Sequence, residues 1–339
     1  MTTFGDQVFQ YGGVPVSSGN LPFTPSGGRY WFVDGTTGVG SDGNSGRKPS
    51  EAFKTIQTAV TQAVSGDVVV VYQKKITDMT GDPTSYDETI IIPATKPSLT
   101  IAGVSHGRTQ GGLPQIKPST ATAAALITVR APGCLITGIG INGLNSTVGG
   151  ILLDDDASAK SAWGTTITNC HIKNCVGSTA TNAATGGGIM WTAAGNAWQV
   201  SITNNTFYKN VGDIVVKGTT NTAPQDVVIE DNIMSGPAAS VDCNIYMAGS
   251  GVNGVTVNRC IFPALPAIGS GSNVRYIVMP TGTVGMLTNC MFGCAENATA
   301  TELTFAAAGS GAIIPATIFV AGCYGQSSTP GEMAYVAHT

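Results

Sequence analysis

Side chains capable of chemistry are sparse in this chain, and their spacing argues for a scaffold more than for a catalyst. The densest acidic site, Asp154–Asp155–Asp156, directly follows an apolar run. Such a cluster can hold calcium, and a glycosidase needs two carboxyls facing each other across the scissile bond. Either use requires partners from elsewhere in the chain. None can be assigned, so a solvated turn is the preferred reading. Glu230 and Asp231 are adjacent, which predicts that their side chains diverge. Lys173, Lys209 and Lys217 fall near strand ends and read as solvated edge residues. His106, in the Gly-rich stretch VSHGRTQGG, and His171 lack the Gly-x-Ser-x-Gly elbow that would supply a nucleophile. No residue is assigned a catalytic role.

Two further groups have chemistry to offer. Cys170, His171 and Cys175 lie close together, as do Cys290 and Cys294, but neither spacing is the tight Cys-x-x-Cys knuckle of a structural zinc site. The reading therefore includes no metal and no cofactor. Trp163, Trp191 and Trp198 gather within residues 155–199, read as one long loop. Aromatic faces there would suit stacking on sugar rings. Packing of that loop onto the rest of the protein, or onto a neighbouring subunit, accounts for them equally well.

The elements that must position these residues announce themselves as a repeat. A short phrase returns as ITNCHI (167–172), ITNNTF (202–207), IEDNIM (229–234), VNRCIF (257–262), LTNCMF (287–292) and FVAGCY (319–324). Its fourth position forms a column of Cys170, Asn205, Asn232, Cys260, Cys290 and Cys323, at intervals of 35, 27, 28, 30 and 33 residues. A constant core with variable length describes the coils of one solenoid, with the extra residues pushed into loops. The outer apolar residues of each phrase lie five apart, as in Ile167 and Ile172. Strand side chains alternate with a period of two, so both can face inward only if the chain bends between them. The column residue is predicted to sit at that bend, where Asn tolerates left-handed geometry. Stacked coils would then align these side chains in a ladder at a spacing of roughly 4.8 Å.

A second strand recurs between the phrases: GILLDD (150–155), GIMWT (188–192), DIVVKG (213–218), NIYMAG (244–249), RYIVMP (275–280) and ELTFAA (302–307). Earlier in the chain YWFVD (30–34), DVVVVY (67–72) and YDETIIIP (86–93) read as strands. Phe53, Ile56, Val60 and Val64 recur between them at helical spacing, with Ser50 as cap, Glu51 in the first turn and Gly66 as stop. A short amphipathic helix before the first coil is what a solenoid needs to cover its open apolar end.

The order FVDG, SDGNSG, AFKTIQTAV, GDVVVVY, YDETIII resembles the N-terminal stretch of pectate-lyase-like β-helix proteins, and the ITNNTFYKN-type repeats resemble their stacked turns. The resemblance covers about residues 29–339. It implies an all-β fold, a right-handed single-stranded parallel β-helix with a short N-terminal capping helix. It leaves function open, because that superfamily includes polysaccharide lyases, glycosidases, surface proteins and bacteriophage tail spikes.

Composition narrows the choice. Charged residues make up only 11% of 339, glycine reaches 45 copies, and the net charge of −4 comes without a basic cluster. A nucleic-acid ligand is excluded on that ground, since phosphate contact needs Lys and Arg in number. No run is long enough to insert in a membrane, and no signal peptide is visible. Four of the eight cysteines occupy the column, where reduced, stacked thiols are expected and cross-coil pairing is the alternative.

Residues 1–28 mix Phe, Tyr and Val with Gly, Pro and Ser without periodicity, so they cannot build a core of their own. They read as an extended arm, with Phe4, Phe9, Tyr11 and Val14 as its partner-binding residues, ahead of a rod over 29–339. An arm ahead of a β-helix resembles the arrangement of phage virion proteins. The expected function is therefore a structural virion protein of a tailed bacteriophage, a capsid decoration protein, head spike or short tail spike, located in the virion. Its expected partners are capsid or tail proteins, a host glycan and, by resemblance, two further copies in a homotrimer. The alternative is a polysaccharide lyase or glycoside hydrolase on the same rod.

Overall fold

The computed structural model describes residues 10–11, 14–15, 28–74, 85–104, 107, 112–120, 125–146, 149–154, 161–176, 187–192, 197–216, 224–234, 243–249, 251–265, 275–294, 302–306, 311–329, 332–336 and 338. These residues are nearly all β, arranged as a parallel β-solenoid. Most passes of the chain lay one strand on each of three faces. One face is a ten-stranded sheet from Tyr30–Val33 to Ile318–Ala321, called here the long sheet. The second is a nine-stranded sheet that begins at Ile90–Ile92. The third consists of two four-stranded sheets, Gln115–Ile116 to Thr206–Tyr208 and Ile261–Phe262 to Met333–Tyr335. Single bridges from Ile233 to Thr206 and to Ile261 join those two halves.

The registers put like on like. Ile101, Ile136, Ile167, Ile202 and Ile229 stack along the long sheet, and Ile90, Ile127, Ile151, Ile189, Ile214, Ile245 and Ile277 along the nine-stranded one. All are buried, and burying each such side chain contributes about 1.5–3 kcal/mol. On the third face Phe262 and Phe292 stack at 4.4 Å, with the Tyr276 ring set edge-on to both.

The column residues are buried and in register from coil to coil. Asn205 accepts from the Cys170 backbone N–H (2.9 Å) and donates through Nδ2 to Ile167 O (2.9 Å). Asn232 Oδ1 in turn accepts from the Asn205 backbone N–H (2.9 Å), and Asn232 Nδ2 donates to Ile202 O (2.8 Å). The thiols of Cys260, Cys290 and Cys323 donate more weakly, to Asn258 O (3.5 Å), Thr288 O (3.3 Å) and Ala321 O (3.6 Å). All eight cysteines are free thiols. Burial pushes the Cys170 thiol up to about 12, so it is protonated at neutral pH.

The bend falls one residue earlier than the sequence reading placed it. Positive φ belongs to Asn169 (54°), Asn204 (55°), Asp231 (54°), Arg259 (51°), Asn289 (53°) and Gly322 (65°), each just before a column residue. The column side chain must point inward to reach its neighbours, so the exposed or half-buried residue ahead of it takes the left-handed turn. Asn and Asp adopt that conformation readily; Arg259 does so while its guanidinium is held by Asp231.

The N-terminal helix is shorter than predicted. Ser50 belongs to a 3₁₀ turn, Pro49–Glu51, and the α-helix runs Ile56–Gln62 behind a Thr55 cap. Phe53 precedes the helix and bridges to Val33, while Val64 lies beyond it and is exposed. Side chains from outside the helix satisfy its ends. Glu88 accepts from the backbone N–H groups of Ile56 and Gln57, both at 2.8 Å, and Lys96 Nζ donates to Val60 O (2.5 Å), Thr61 O (2.6 Å) and Ala63 O (2.7 Å). At the other end of the rod the strand order changes. Gly311–Ile313, not Thr304–Ala306, pairs with Arg275–Val278, and Thr304–Ala306 lies outside it. Ala312 presents only a methyl group inward, which leaves room for Phe305 to meet Phe292 at 5.3 Å.

Candidate functional site

The chain turns into the long sheet through a second left-handed column, Gly66, Ser98, Gly133, Gly164, Gln199 and Asp226, each two residues ahead of a registered position in that sheet. The residues immediately before four of these are Pro97, Pro132, Trp163 and Trp198, so repetition stacks flat rings along this edge of the rod. Backbone hydrogen bonds fix the rise: Gly133 N–H donates to Trp163 O (2.6 Å) and Gly164 N–H to Trp198 O (2.8 Å). The two indoles lie 5.2 Å apart between centroids and 8° from parallel. Near-parallel rings in van der Waals contact about 3.5 Å apart reach that separation only when offset, which leaves part of a face open. Trp163 is 42% exposed.

Asp154 stands at the same turn. Its carboxylate receives the Arg130 guanidinium, Nε to Oδ2 at 2.8 Å, and its backbone N–H is donated to Val129 O. Arg130 is two residues ahead of Pro132 in the ring row. The ion pair and the open aromatic face thus belong to the same set of turns into the long sheet, and they supply the hydrogen-bonding groups and the apolar surface that a sugar chain uses.

The structure distributes the other sequence candidates as follows. Trp191 is buried, with its indole N–H donated to Ala197 O at 3.0 Å, so it packs the rod and leaves the ring row to Trp163 and Trp198. Residues 155–199 are not one loop, because they contain the strands Thr166–Thr168, His171–Cys175 and Ile189–Trp191. Glu230 and Asp231 do not diverge: both approach Arg259, at 3.6 and 2.8 Å. Lys209 is exposed over the Tyr208 ring, but Lys173 is buried, in register with Asn142 and Tyr208. His171 on the same strand is buried too. Desolvation, with repulsion from Lys173, lowers its imidazole to about 4 and keeps it neutral. Alternation along the sequence marks both residues as outward, and only the folded chain shows that this part of the outer surface is covered.

Among the described residues no group of three or more His, Cys, Asp or Glu side chains is placed to hold a metal ion. Gln10–Tyr11 pairs antiparallel with Val14–Pro15. Phe4, Phe9, Asp155, Asp156, His106 and Lys217 lie outside the described residues.

No known family model matches the chain, and no curated protein sequence does. Several solved structures share its fold. An alginate lyase from Paenibacillus sp. str. FPU-7 superposes with a TM-score of 0.53 at 14% identity, over 84% of this chain and 95% of that one. A GH136 lacto-N-biosidase from Eubacterium ramulus gives 0.51 at 10% identity, over 88% of this chain and 55% of that one. ORF18 of Geobacillus virus E2 gives 0.37 at 11% identity, over 87% and 60%. For the alginate lyase and the lacto-N-biosidase, at these identities, the likeness is one of fold, the parallel β-helix.

Proposed function

We propose that this protein is a β-helical virion component of a tailed bacteriophage, a capsid decoration protein or short spike, whose rod binds a glycan at the Trp163–Trp198 edge. The observation that carries the glycan reading is the indole pair with one partly open face; the Arg130–Asp154 ion pair in the same set of turns adds hydrogen-bonding groups. Indoles on a backbone fixed by the coil repeat are preorganised, so little conformational entropy opposes a weakly held sugar. Attachment to the particle is assigned to residues 1–28, whose apolar, aperiodic composition suits docking on a larger partner. Sharing a fold with two carbohydrate-active enzymes agrees with glycan contact and makes depolymerisation the competing outcome.

Titrating the full chain with a panel of acidic and neutral polysaccharides, read by tryptophan fluorescence and calorimetry, tests the glycan reading. At least one should bind, and Trp163→Ala should weaken it by tenfold or more, about 1.4 kcal/mol. Binding that is absent throughout, or indifferent to Trp163→Ala, removes the glycan assignment. Release of unsaturated or reducing ends in the same mixtures, abolished by Asp154→Ala, would replace the virion reading with an enzyme. Incorporation of a 1–28 deletion into particles at the normal level would remove the role of the arm.

A further inference from the structure

The third face carries a feature the glycan reading does not use. In its C-terminal half the outward row, one side chain per coil, reads Ile233, Ile261, Met291 and Tyr324, and it ends on Tyr335 of the last, antiparallel strand. Exposures are 39, 49, 51, 49 and 54%. Nothing polar interrupts the row. Its neighbours towards the next face, Pro263 and Gly293, carry no charge either. The polar ladder of Glu230, Asn258 and Thr288 bounds it on the other side, linked side chain to side chain at 3.1 and 3.0 Å. Half-exposed side chains of this size leave roughly 100 Å² each, so the row alone carries on the order of 500 Å² of apolar surface, the upper end of what a monomer usually shows.

We propose that this stripe is the contact between copies of this chain, packed stripe against stripe. Three features select a second copy as the occupant. The stripe is straight and runs along the stacking direction, with one apolar side chain per coil. A partner that covers its whole length must therefore offer a rigid, straight apolar row at the same roughly 4.8 Å interval, and another copy has one. Its area, with the half-buried rim beside it, approaches the about 800 Å² per partner of a standard stable interface, whereas a short peptide or a sugar would leave most of it wet. The row itself holds no charge that would repel its own copy; beside it Arg259 pairs with Asp231 and approaches Glu230, which leaves only a single net negative charge there. The inference is independent of the glycan reading, since the ring row lies at the opposite end of the long sheet's strands.

Sedimentation velocity on the full chain at micromolar concentration provides the test, with far-UV circular dichroism and thermal melting as folding controls. The wild type should sediment as a dimer or trimer, and Ile261→Glu/Met291→Glu, with both changes at exposed positions, should sediment as a folded monomer. Cys294, beside the stripe and the one cysteine that is not buried, supplies a second reading. Copper–phenanthroline oxidation joins two Cys294 thiols in one disulfide, the copper oxidant taking up two electrons and the buffer two protons. The wild type should give a covalent dimer in denaturing gels, and Cys294→Ser should give none. A monomeric wild type, or an oligomer that survives the double glutamate change, overturns the proposal.

Discussion

The two halves of the third face share a backbone plan and treat their outer surface in opposite ways. At equivalent positions the first half presents Gly140, His171 and Thr206, and the second presents Ile261, Met291 and Tyr324. His171 and its neighbour Lys173 are buried polar groups, while the aliphatic and aromatic side chains of the second half are exposed. The inner column changes at about the same coil. Amides cross-link backbone and side chain at Asn205 and Asn232; from Cys260 on, thiols with long, weak hydrogen bonds fill the column, as Cys170 does at its start. The first half thus holds itself together with buried polar bonds. The second relies on apolar stacking and leaves apolar surface for another molecule.

If that contrast is real, the largest loss should come from the amide column. Asn205→Ala leaves the Cys170 N–H and Ile167 O without their partner and opens a small cavity, and it should cost roughly 2–4 kcal/mol in urea titration. Cys290→Ala removes a weakly bonded thiol and should cost only about 1–2 kcal/mol. Equal losses would erase the distinction between the halves.

A smaller effect separates the two outer rows by pH. The folded His171 imidazole titrates at about 4 and the unfolded one at its ordinary 6.5. Between those values the unfolded chain holds a proton that the folded chain lacks, so this contribution is complete above pH 6.5 and falls as the pH drops towards 4. The urea midpoint should decline between pH 7.5 and pH 5, and His171→Gln should make that decline shallower. Met291→Gln, in the apolar row, should leave the decline unchanged. A wild-type slope that persists in His171→Gln would show that this imidazole is not the group responsible.

The smallest expected change concerns the left-handed turn. Arg259→Gly gives up solvent-screened ion pairs and relieves a left-handed residue, two small effects of opposite sign, so the urea midpoint should barely move. Arg259→Val loses the pairs and puts a β-branched side chain at the left-handed position, and should lower the urea midpoint clearly more than glycine does. A large loss with glycine would mean that the Asp231–Arg259 pair, rather than the bend, holds these coils.

Much of this fold is legible in the chain because its information is local and repeated. The returning phrase, the second strand series as far as RYIVMP and the opening YWFVD–DVVVVY pair fall on strands in the register that like-on-like stacking requires, while ELTFAA is displaced by Gly311–Ile313. Errors arose where neighbouring positions compete. Nothing in ITNNTF distinguishes Asn204 from Asn205 as the bend, because either Asn can adopt left-handed geometry; the inward pull of the ladder decides it. Thr55 displaced Ser50 as helix cap because the backbone is first spent on the bridge between Phe53 and Val33. The site was half legible. Its tryptophans stood out by type, but their selection into one ring row depends on which residues precede a left-handed turn.

The amino-acid order alone determined that this chain winds into stacked β-coils, since alternation, turn residues and the recurring phrase are properties of a few neighbours at a time. The tertiary structure alone decided that Lys173 is buried while Met291 is exposed, that Trp163 meets Trp198 while Trp191 does not, and that Glu230 and Asp231 share one arginine. Local pattern specifies inside against outside along a strand. Whether an outward side chain then meets water, another part of the chain or another molecule depends on residues far away in sequence.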